Sequence, residues 1–191
     1  ILLASGDWLA PASVETAEGW EVFVDRSADG GLTWEAGARL DRAAVPGLGI
    51  IQPSLWESAP GRVHMLMRST AGAVIRSDSD DDGRTWCPAY ATGLPNNNSG
   101  LDLAKLDDGT LALVCNPVAG NWAARTPLRI ALSRDNGRTW PHSCDIETEP
   151  GEYSYPAIIP TAVGMAVTYT WKRERIAFWQ GRGAKLSETV A

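Results

Sequence analysis

Short apolar segments alternate with turn residues along most of the chain. Arg62–Arg68 and Leu128–Ser133 are examples, and each is followed within a few residues by Gly, Asp or Asn. No long segment repeats its apolar residues every ~3.6 positions, and Pro interrupts most candidate helices. This pattern predicts an all-β protein built from many short strands.

One octapeptide occurs three times at nearly equal spacing. The copies are Ser27–Trp34, Ser79–Trp86 and Ser133–Trp140, and all three fit S-x-D-x-G-x-T-W without a mismatch. Their first residues are 52 and 54 positions apart. A repeat of about 50 residues that holds several strands is typical of one blade of a β-propeller.

The octapeptide itself predicts a hairpin turn. Its Asp accepts hydrogen bonds from nearby backbone N–H groups, and its Gly supplies a backbone with positive φ. Its Thr and Trp are expected to begin the next strand, with the Trp beneath the turn. A calcium loop at Asp80–Asp82 is the alternative, but the segment lacks the Gly and the distal Glu of an EF-hand loop. We therefore interpret the octapeptides as structural and expect no metal site and no cofactor.

The predicted strands fall into groups that match the repeat. They are Ile1–Ala4, Trp20–Ser27, Pro53–Glu57, Arg62–Arg68, Val74–Ser79, Leu101–Leu106, Thr110–Asn116, Leu128–Ser133, Tyr155–Thr161, Met165–Trp171 and Arg175–Trp179. With a fourth strand after each octapeptide, they make about three and a half four-stranded blades, whereas a propeller needs at least four. We expect residues 1–191 to form part of one propeller domain, with the natural N-terminus before Ile1 because the chain begins without Met. Open propeller edges predict self-association.

Composition narrows the choice of partners. The net charge of −6 argues against nucleic acid and anionic membranes, which favour basic surfaces. No apolar segment reaches the roughly 18 residues of a membrane span. Cys87, Cys115 and Cys144 are odd in number and lack CxxC spacing, which excludes a recognisable zinc or disulfide pattern. None of these features indicates a cellular compartment.

The strand order predicts which end of each blade carries a site. Each octapeptide joins the third strand of a blade to the fourth, so the links to the next blade and the turns after the second strand lie at the opposite end, near the propeller axis. The residues expected there are Gln52, Arg68, Asn96–Ser99, Asn116, Arg125, Glu152–Ser154, Trp171–Arg173 and Arg175. Such a cationic and aromatic surface suits an anionic sugar or another carboxylate ligand.

The octapeptides are Asp boxes, and the chain resembles the sialidase (neuraminidase) superfamily, especially bacterial BNR-repeat proteins. Further matching strings are His64–Ser69, Leu94–Gly100, Asn116-Pro117, Arg125–Leu128, Tyr153–Pro156 and Thr168–Trp171. The resemblance covers about Trp20 to Trp179 and implies a propeller with six blades when complete. Asp boxes identify the superfamily but not the substrate, because many other proteins carry them.

The resemblance implies an arginine cluster that binds the substrate carboxylate. Sialidases use three arginines, and Arg68 and Arg125 stand at the places of the second and third. A planar guanidinium matches a carboxylate with two parallel hydrogen bonds. The alternative is a salt bridge within the protein, which we favour for Arg173 and Arg175. The first arginine and the Asp general acid of the family have no counterpart that we can locate in this chain.

The catalytic pair of the family is matched only in part. The sialidase nucleophile is a Tyr in a Tyr-Ser string, which Tyr153 resembles, and it is activated by a Glu at the start of an inner strand. Gln52 stands at that Glu position and cannot accept a proton. Glu57 and Glu152 are the nearby carboxylates that would have to replace it. A tyrosine with a pKa near 10 is a poor nucleophile without a base.

Five more residues have both a functional and a structural interpretation. Asn98, Ser99 and Asn116 would bind sugar hydroxyls or satisfy their own backbone. Asp102 is either a catalytic carboxylate or a strand cap, and Trp171 either stacks on a sugar ring or belongs to the core.

Three functions remain open at this point. The first is a sialidase-like glycoside hydrolase that acts on an anionic sugar. The second is a carbohydrate-binding propeller without catalysis, which Gln52 favours. The third is a scaffold for protein partners, which does not require Arg68 and Arg125.

Overall fold

The computed structural model describes residues 1–182, which form thirteen β-strands in four antiparallel sheets. The strands are β1 (Trp8–Glu15), β2 (Trp20–Ser27), β3 (Ile50–Ala59), β4 (Arg62–Ser69), β5 (Ala73–Ser79), β6 (Tyr90–Pro95), β7 (Asp102–Lys105), β8 (Leu111–Cys115), β9 (Leu128–Ser133), β10 (His142–Glu147), β11 (Tyr153–Thr161), β12 (Gly164–Trp171) and β13 (Arg175–Gly181). Within the described residues there is no helix, and hence none that could cross a membrane. The all-β class is confirmed.

The chain divides into two compact units, residues 1–94 and 95–191. The first unit contains the β1–β2 sheet and the sheet in the order β3-β4-β5-β6. Its core lies between these two sheets, where Leu9, Val22 and Val24 pack with Met65 and Ile75. Core residues two positions apart, such as Val22 and Val24 on β2 and Met65 and Met67 on β4, share one face of their strand, and this face lies in the core.

The second unit repeats this plan. It contains the sheet in the order β7-β8-β9-β10 and the sheet β11-β12-β13. Its core joins Val114 and Ile130 of the first of these sheets to Tyr153, Val167 and Tyr169 of the second. Two of the four sheets therefore have the four sequential antiparallel strands of a propeller blade, and two have fewer strands.

Most strands lie where the sequence pattern predicts them. Trp20–Ser27 and Leu128–Ser133 are correct to the residue, and the inner strand predicted at Pro53–Glu57 extends to Ile50–Ala59. The strand predicted at Ile1–Ala4 is wrong, because the first strand is Trp8–Glu15, paired along its full length with β2. The strands after the second and third octapeptides begin later than predicted, at Tyr90 and His142, and the strand predicted after the first octapeptide is wrong, because the β1–β2 sheet has only two strands. The part of the predicted domain at 183–191 lies outside the described residues.

The three octapeptides form turns of the same geometry. In each, the Ser hydroxyl donates to the Asp carboxylate at 2.8 Å, and the Thr hydroxyl donates to the other carboxylate oxygen at 2.6 Å. The Thr amide also donates to the Asp at 2.8–2.9 Å. The fourth and fifth residues have positive φ in all three turns, as in Asn136 (62°) and Gly137 (75°). Hydrogen bonds from Thr33, the hydroxyl first, lower the pKa of Asp29 from 3.8 to about 2.

Candidate functional site

The start of the inner strand lies opposite the octapeptide turn in each blade sheet. In the first unit, Ile51 of β3 pairs with Arg68 at the end of β4, whereas the turn Ser79–Trp86 follows the far end of β5. The predicted site residues of this unit, Gln52 and Arg68, therefore lie at the end away from the turn.

Gln52 and Arg68 contact each other directly. Arg68 Nη1 donates to Gln52 Oε1 at 3.1 Å, and the Arg68 guanidinium lies 5.8 Å from the centre of the Trp20 ring. Arg68 is only 4% exposed. Gln52 has a φ of 54° and lies in a break of the β3–β4 register between Ile51 and Ser54, so this bulge aims its side chain differently from its neighbours. Because an amide carries no charge, this hydrogen bond holds the guanidinium in place without neutralising it.

Arg125 in the second unit is instead paired with a carboxylate. Its Nη1 donates to Glu152 Oε1 at 3.0 Å, and Arg173 Nε donates to both oxygens of the same carboxylate at 2.8 Å. The hydrogen bond from Arg173 lowers the pKa of Glu152; partial burial opposes this, and the charge of Arg125 adds to it. Glu152 is therefore a weak base. The Arg173 salt bridge is the kind of contact that the sequence favoured for this residue, whereas Arg175 pairs with Glu174 at 3.4 Å.

The register of β11 and β12 separates the two tyrosines of the Tyr153–Pro156 string. Ser154 pairs with Thr170, and a register break between Ser154 and Ala157 follows. This break matches the one after Ile51, so Tyr155 occupies the place of Gln52, with a φ of 50°, and Tyr153 occupies the place of buried Ile50. We refer to Gln52 and Tyr155 as the bulge residues.

Their environments differ accordingly. Tyr153 is 1% exposed, belongs to the hydrophobic core and stacks edge-on with Trp171, and burial raises the pKa of its phenol. Tyr155 is 50% exposed, and the Arg125 guanidinium lies 5.3 Å from the centre of its ring. The structure therefore corrects the placement of Tyr153 at an open site. Tyr155 was missed, although Pro follows both bulge residues and this shared dipeptide pattern was visible in the sequence.

The asparagine string is buried and bonded within the protein. Asn98 and Ser99 are fully buried, and Asn96 Oδ1 and Asn97 Oδ1 accept hydrogen bonds from the backbone N–H groups of Asn98 and Ser99. Asn116 accepts a hydrogen bond from the Ser99 hydroxyl at 2.6 Å and donates to the backbone oxygens of Pro127 and Tyr153. Their amides thus hold the loops together, as the structural interpretation of this string expects. That they bind sugar hydroxyls stays a prediction.

Asp102 and Trp171 also have structural partners. Asp102 begins β7, and its Oδ2 accepts the backbone N–H of Ile158 at 2.9 Å, which links the two sheets of the second unit. The Trp171 ring has the Lys172 ammonium at 4.6 Å and the Arg175 guanidinium at 4.5 Å from its centre. These contacts agree with the structural interpretation of each residue; that Asp102 is catalytic and that Trp171 stacks on a sugar ring stay predictions. Among residues 1–182, no group of three His, Cys, Asp or Glu side chains is arranged to hold a metal ion.

Three comparisons with known proteins complete this description. A family model described as a BNR repeat-like domain matches residues 1–167. No curated protein matches the chain in sequence.

Solved structures resemble the chain in fold. A Hadza microbial sialidase aligns with a TM-score of 0.77 at 19% identity, over 96% of this chain and 36% of that one. The NanB sialidase from Streptococcus pneumoniae aligns with a TM-score of 0.69 at 19% identity, over 89% and 26%. Trypanosoma rangeli sialidase aligns with a TM-score of 0.67 at 15% identity, over 89% and 28%. The chain thus spans about a quarter to a third of the length of these proteins, and the predicted sialidase-like propeller fold is confirmed.

Proposed function

The chain belongs to the BNR repeat-like domain family, and on that premise we propose that it binds an anionic sugar as part of a sialidase-like glycoside hydrolase. The observation that carries this proposal is that each unit holds one restrained arginine, Arg68 in the first unit and Arg125 in the second. Each lies at the end of its unit away from the octapeptide turns, and each is held by a side chain from the start of an inner strand or just before it. A guanidinium restrained in this way loses little freedom when it binds a carboxylate.

Both arginines are held by hydrogen bonds to neighbouring side chains. Arg68 donates a hydrogen bond to the neutral amide oxygen of Gln52. Arg125 shares Glu152 with Arg173, and that carboxylate has the charge and shape that a ligand carboxylate would present. Glu152 already neutralises part of the charge around Arg125, so we infer that Arg125 binds a ligand carboxylate more weakly than it would without this partner.

In this hydrolase, Tyr155 is the nucleophile. Its phenolate oxygen would attack the anomeric carbon while the glycosidic C–O bond breaks and the departing oxygen takes a proton from an acid; water then replaces the tyrosyl oxygen. Its exposure and its position beside Arg125 support this assignment over Tyr153, which is packed in the core.

A second function is supported by Gln52. The reaction above needs a base for the Tyr155 proton, and an amide cannot accept it. Glu152 is held by two arginines with a lowered pKa, and Glu57 accepts the backbone N–H groups of Ala4 and Gly61. The second candidate is therefore an anionic-sugar-binding protein without turnover.

Two measurements on the same protein separate these functions. Release of 4-methylumbelliferone from its N-acetylneuraminic acid glycoside reports turnover, and calorimetry with free N-acetylneuraminic acid reports binding. Turnover that Tyr155→Phe abolishes supports the hydrolase, whereas binding without turnover supports the second function. Absence of both contradicts the proposal.

The arginine assignment has its own test. Arg68→Ala should weaken binding of N-acetylneuraminic acid roughly tenfold to a hundredfold, which corresponds to the loss of one or two hydrogen bonds to a charged group. Arg125→Ala should also weaken binding. Arg129→Ala is the matched control, because it removes an arginine that is paired with Asp145 at 2.6 Å on β9 and β10. If Arg68→Ala and Arg125→Ala bind the sugar as tightly as Arg129→Ala does, neither arginine contacts the sugar.

A further inference from the structure

A serine, a histidine and a carboxylate form a chain of contacts at the octapeptide end of the first unit. Ser58 Oγ is 2.7 Å from His64 Nε2, and His64 Nδ1 is 2.5 Å from Asp78 Oδ1. All three residues belong to the sheet β3-β4-β5-β6, at the end away from Gln52 and Arg68. This cluster is therefore separate from the proposed sugar site.

The strand register brings these three side chains together. His64 on β4 lies directly opposite Asp78 on β5, and on its other side it lies opposite Trp56 on β3. Ser58 lies two positions after Trp56, where the β3–β4 register is broken, and this makes it the extra residue of a β-bulge. Bulges of this kind re-aim a side chain and are frequent beside active sites.

The Asp78 carboxylate is ionised and is held by several donors. Arg76 Nε donates to its Oδ1 at 2.9 Å, and the Tyr90 hydroxyl donates to its Oδ2 at 2.6 Å. Burial raises the pKa of this carboxyl, but the hydrogen bonds from His64, Tyr90 and Arg76 outweigh burial and lower the pKa to about 2. An ionised carboxylate can only accept hydrogen bonds, so the proton between it and the imidazole lies on His64 Nδ1.

A proton on Nδ1 leaves the lone pair of the neutral His64 ring on Nε2, which faces the Ser58 hydroxyl. That hydroxyl has two acceptors within reach, His64 Nε2 at 2.7 Å and Arg62 O at 3.5 Å, and the shorter hydrogen bond is the stronger. Arg76 Nη2 lies 3.2 Å from Nδ1, but a guanidinium has only donors and leaves the Nδ1 proton to the carboxylate. Trp56 stacks on the imidazole with ring centres 5.0 Å apart, which restrains the plane of the ring.

We propose that Ser58, His64 and Asp78 form a second catalytic site, which hydrolyses small carboxylic esters. The Ser58 proton passes to Nε2 as Oγ bonds to the acyl carbon, and the imidazole returns this proton to the departing alkoxide as the ester C–O bond breaks. Water then repeats both steps on the acyl-serine, which releases the carboxylic acid and restores the hydroxyl. Ser58 is partly exposed, as a nucleophile that meets an ester and water must be. This inference does not rest on the proposed function.

The test follows release of p-nitrophenolate from p-nitrophenyl acetate by the whole protein. Ser58→Ala should lose the turnover, and it removes only a hydroxyl from a partly exposed bulge, so the fold should be kept. His64→Gln should lower turnover by about a hundredfold or more, because a general base contributes roughly 10²–10⁴-fold. Ser143→Ala is the matched control: it changes a partly exposed serine on β10 and should keep the wild-type rate.

Two further measurements make the test specific. Mass spectrometry of the protein after reaction should find the acetyl group on Ser58, the position that the triad activates. Asp78→Asn replaces the acceptor of the Nδ1 proton by an amide and should lower turnover by about a hundredfold or more, because the ring can then turn its other tautomer towards Ser58. Tyr90→Phe removes only one hydrogen bond to Asp78 and should lower turnover by about tenfold or less.

The outcomes separate this site from the sugar site. Loss of turnover in Ser58→Ala and His64→Gln, with acetyl on Ser58, supports the triad. No turnover by the wild type, equal turnover by Ser58→Ala, or acetyl on lysine alone overturns it while the proposed function stands. Turnover that survives in His64→Gln also overturns it, because the serine then reacts without its base. Inhibition of ester hydrolysis by N-acetylneuraminic acid would place the reaction at the sugar site and exclude a second one.

Discussion

The octapeptide turns and the bulge residues lie at opposite ends of the sheets, and they repeat in different ways. The three turns repeat side chains and hydrogen bonds, with matching distances that agree within 0.2 Å. The bulge residues repeat only the backbone: φ is 54° at Gln52 and 50° at Tyr155, but one side chain is an amide and the other a phenol. Each repeat therefore keeps the same turn at one end of its sheet and carries a different side chain at the bulge of the other end. The side chains at the bulge can change without loss of the fold.

The largest expected effect is the difference in unfolding free energy between alanine variants of Tyr153 and Tyr155. Tyr153→Ala removes a ring from the core of the second unit and should lower the free energy of unfolding by about 3–5 kcal/mol. Tyr155→Ala removes a half-exposed ring that lies over Arg125 and should cost less, about 1 kcal/mol. Urea titration of both variants measures the difference. A similar loss of unfolding free energy in both variants would contradict the register, which places Tyr153 in the core and Tyr155 outside it.

The next effect concerns the octapeptide glycine. Gly83→Ala places a Cβ 2.7 Å from Leu9 Cδ1 at a φ of 75°, and it should lower the free energy of unfolding by about 1–3 kcal/mol. Gly93→Ala is the control, because nothing lies within 4 Å of its added Cβ. Thermal unfolding of both should show a loss for Gly83→Ala only. Equal unfolding temperatures for the two variants would mean that the turn tolerates a Cβ at position 83.

A smaller effect is expected at the fourth octapeptide position. Asn136 has a φ of 62°, and the first octapeptide has Gly30 at the same place with a φ of 73°. Asn136→Gly should therefore leave the free energy of unfolding within about 0.5 kcal/mol, whereas Asn136→Ala should cost about 1 kcal/mol. Denaturant unfolding distinguishes them, and a more stable Ala variant would contradict the assigned conformation.

The smallest effect should appear only in acid. Because the folded state lowers the pKa of Asp29 from 3.8 to about 2, the carboxylate stabilises the fold above pH 3.8 and this contribution is lost as the pH falls towards 2. Asp29→Asn and Thr33→Val should both flatten the pH dependence of the unfolding free energy in that window. A slope that neither variant changes would exclude the Thr33 hydrogen bonds as its cause.

The strands show where sequence patterns succeed and where they do not. Strand β2 alternates buried and more exposed positions and was predicted with its true bounds. Strand β1 was not predicted, since Pro11 and its neighbours Ala10 and Ala12 are residue types that strands disfavour. Strand β1 exists because its backbone pairs with β2, and such pairing between distant residues is not visible in local composition. Its place at the edge of a two-stranded sheet accommodates the proline.

The candidate site shows the same division. Gln52, Arg68 and Arg125 lie at the predicted end of their sheets, because strand order alone determines that end. The choice between Tyr153 and Tyr155 depended on a bulge that shifts the β11–β12 register. Asn98 and Asn116 look like ligands in the sequence, but their amides are used to hold loops together.

The sequence by itself determined the three turns, the all-β class and the orientation of the blades. Each turn closes within eight residues through contacts among its own side chains, so local sequence suffices. The tertiary structure alone decided that Tyr155 is half-exposed while Tyr153 is buried, and that Glu152 joins Arg125 to Arg173. These outcomes depend on pairing between strands and on loops that meet across tens of residues, and a shift of one position in such pairing exchanges the buried face for the exposed one.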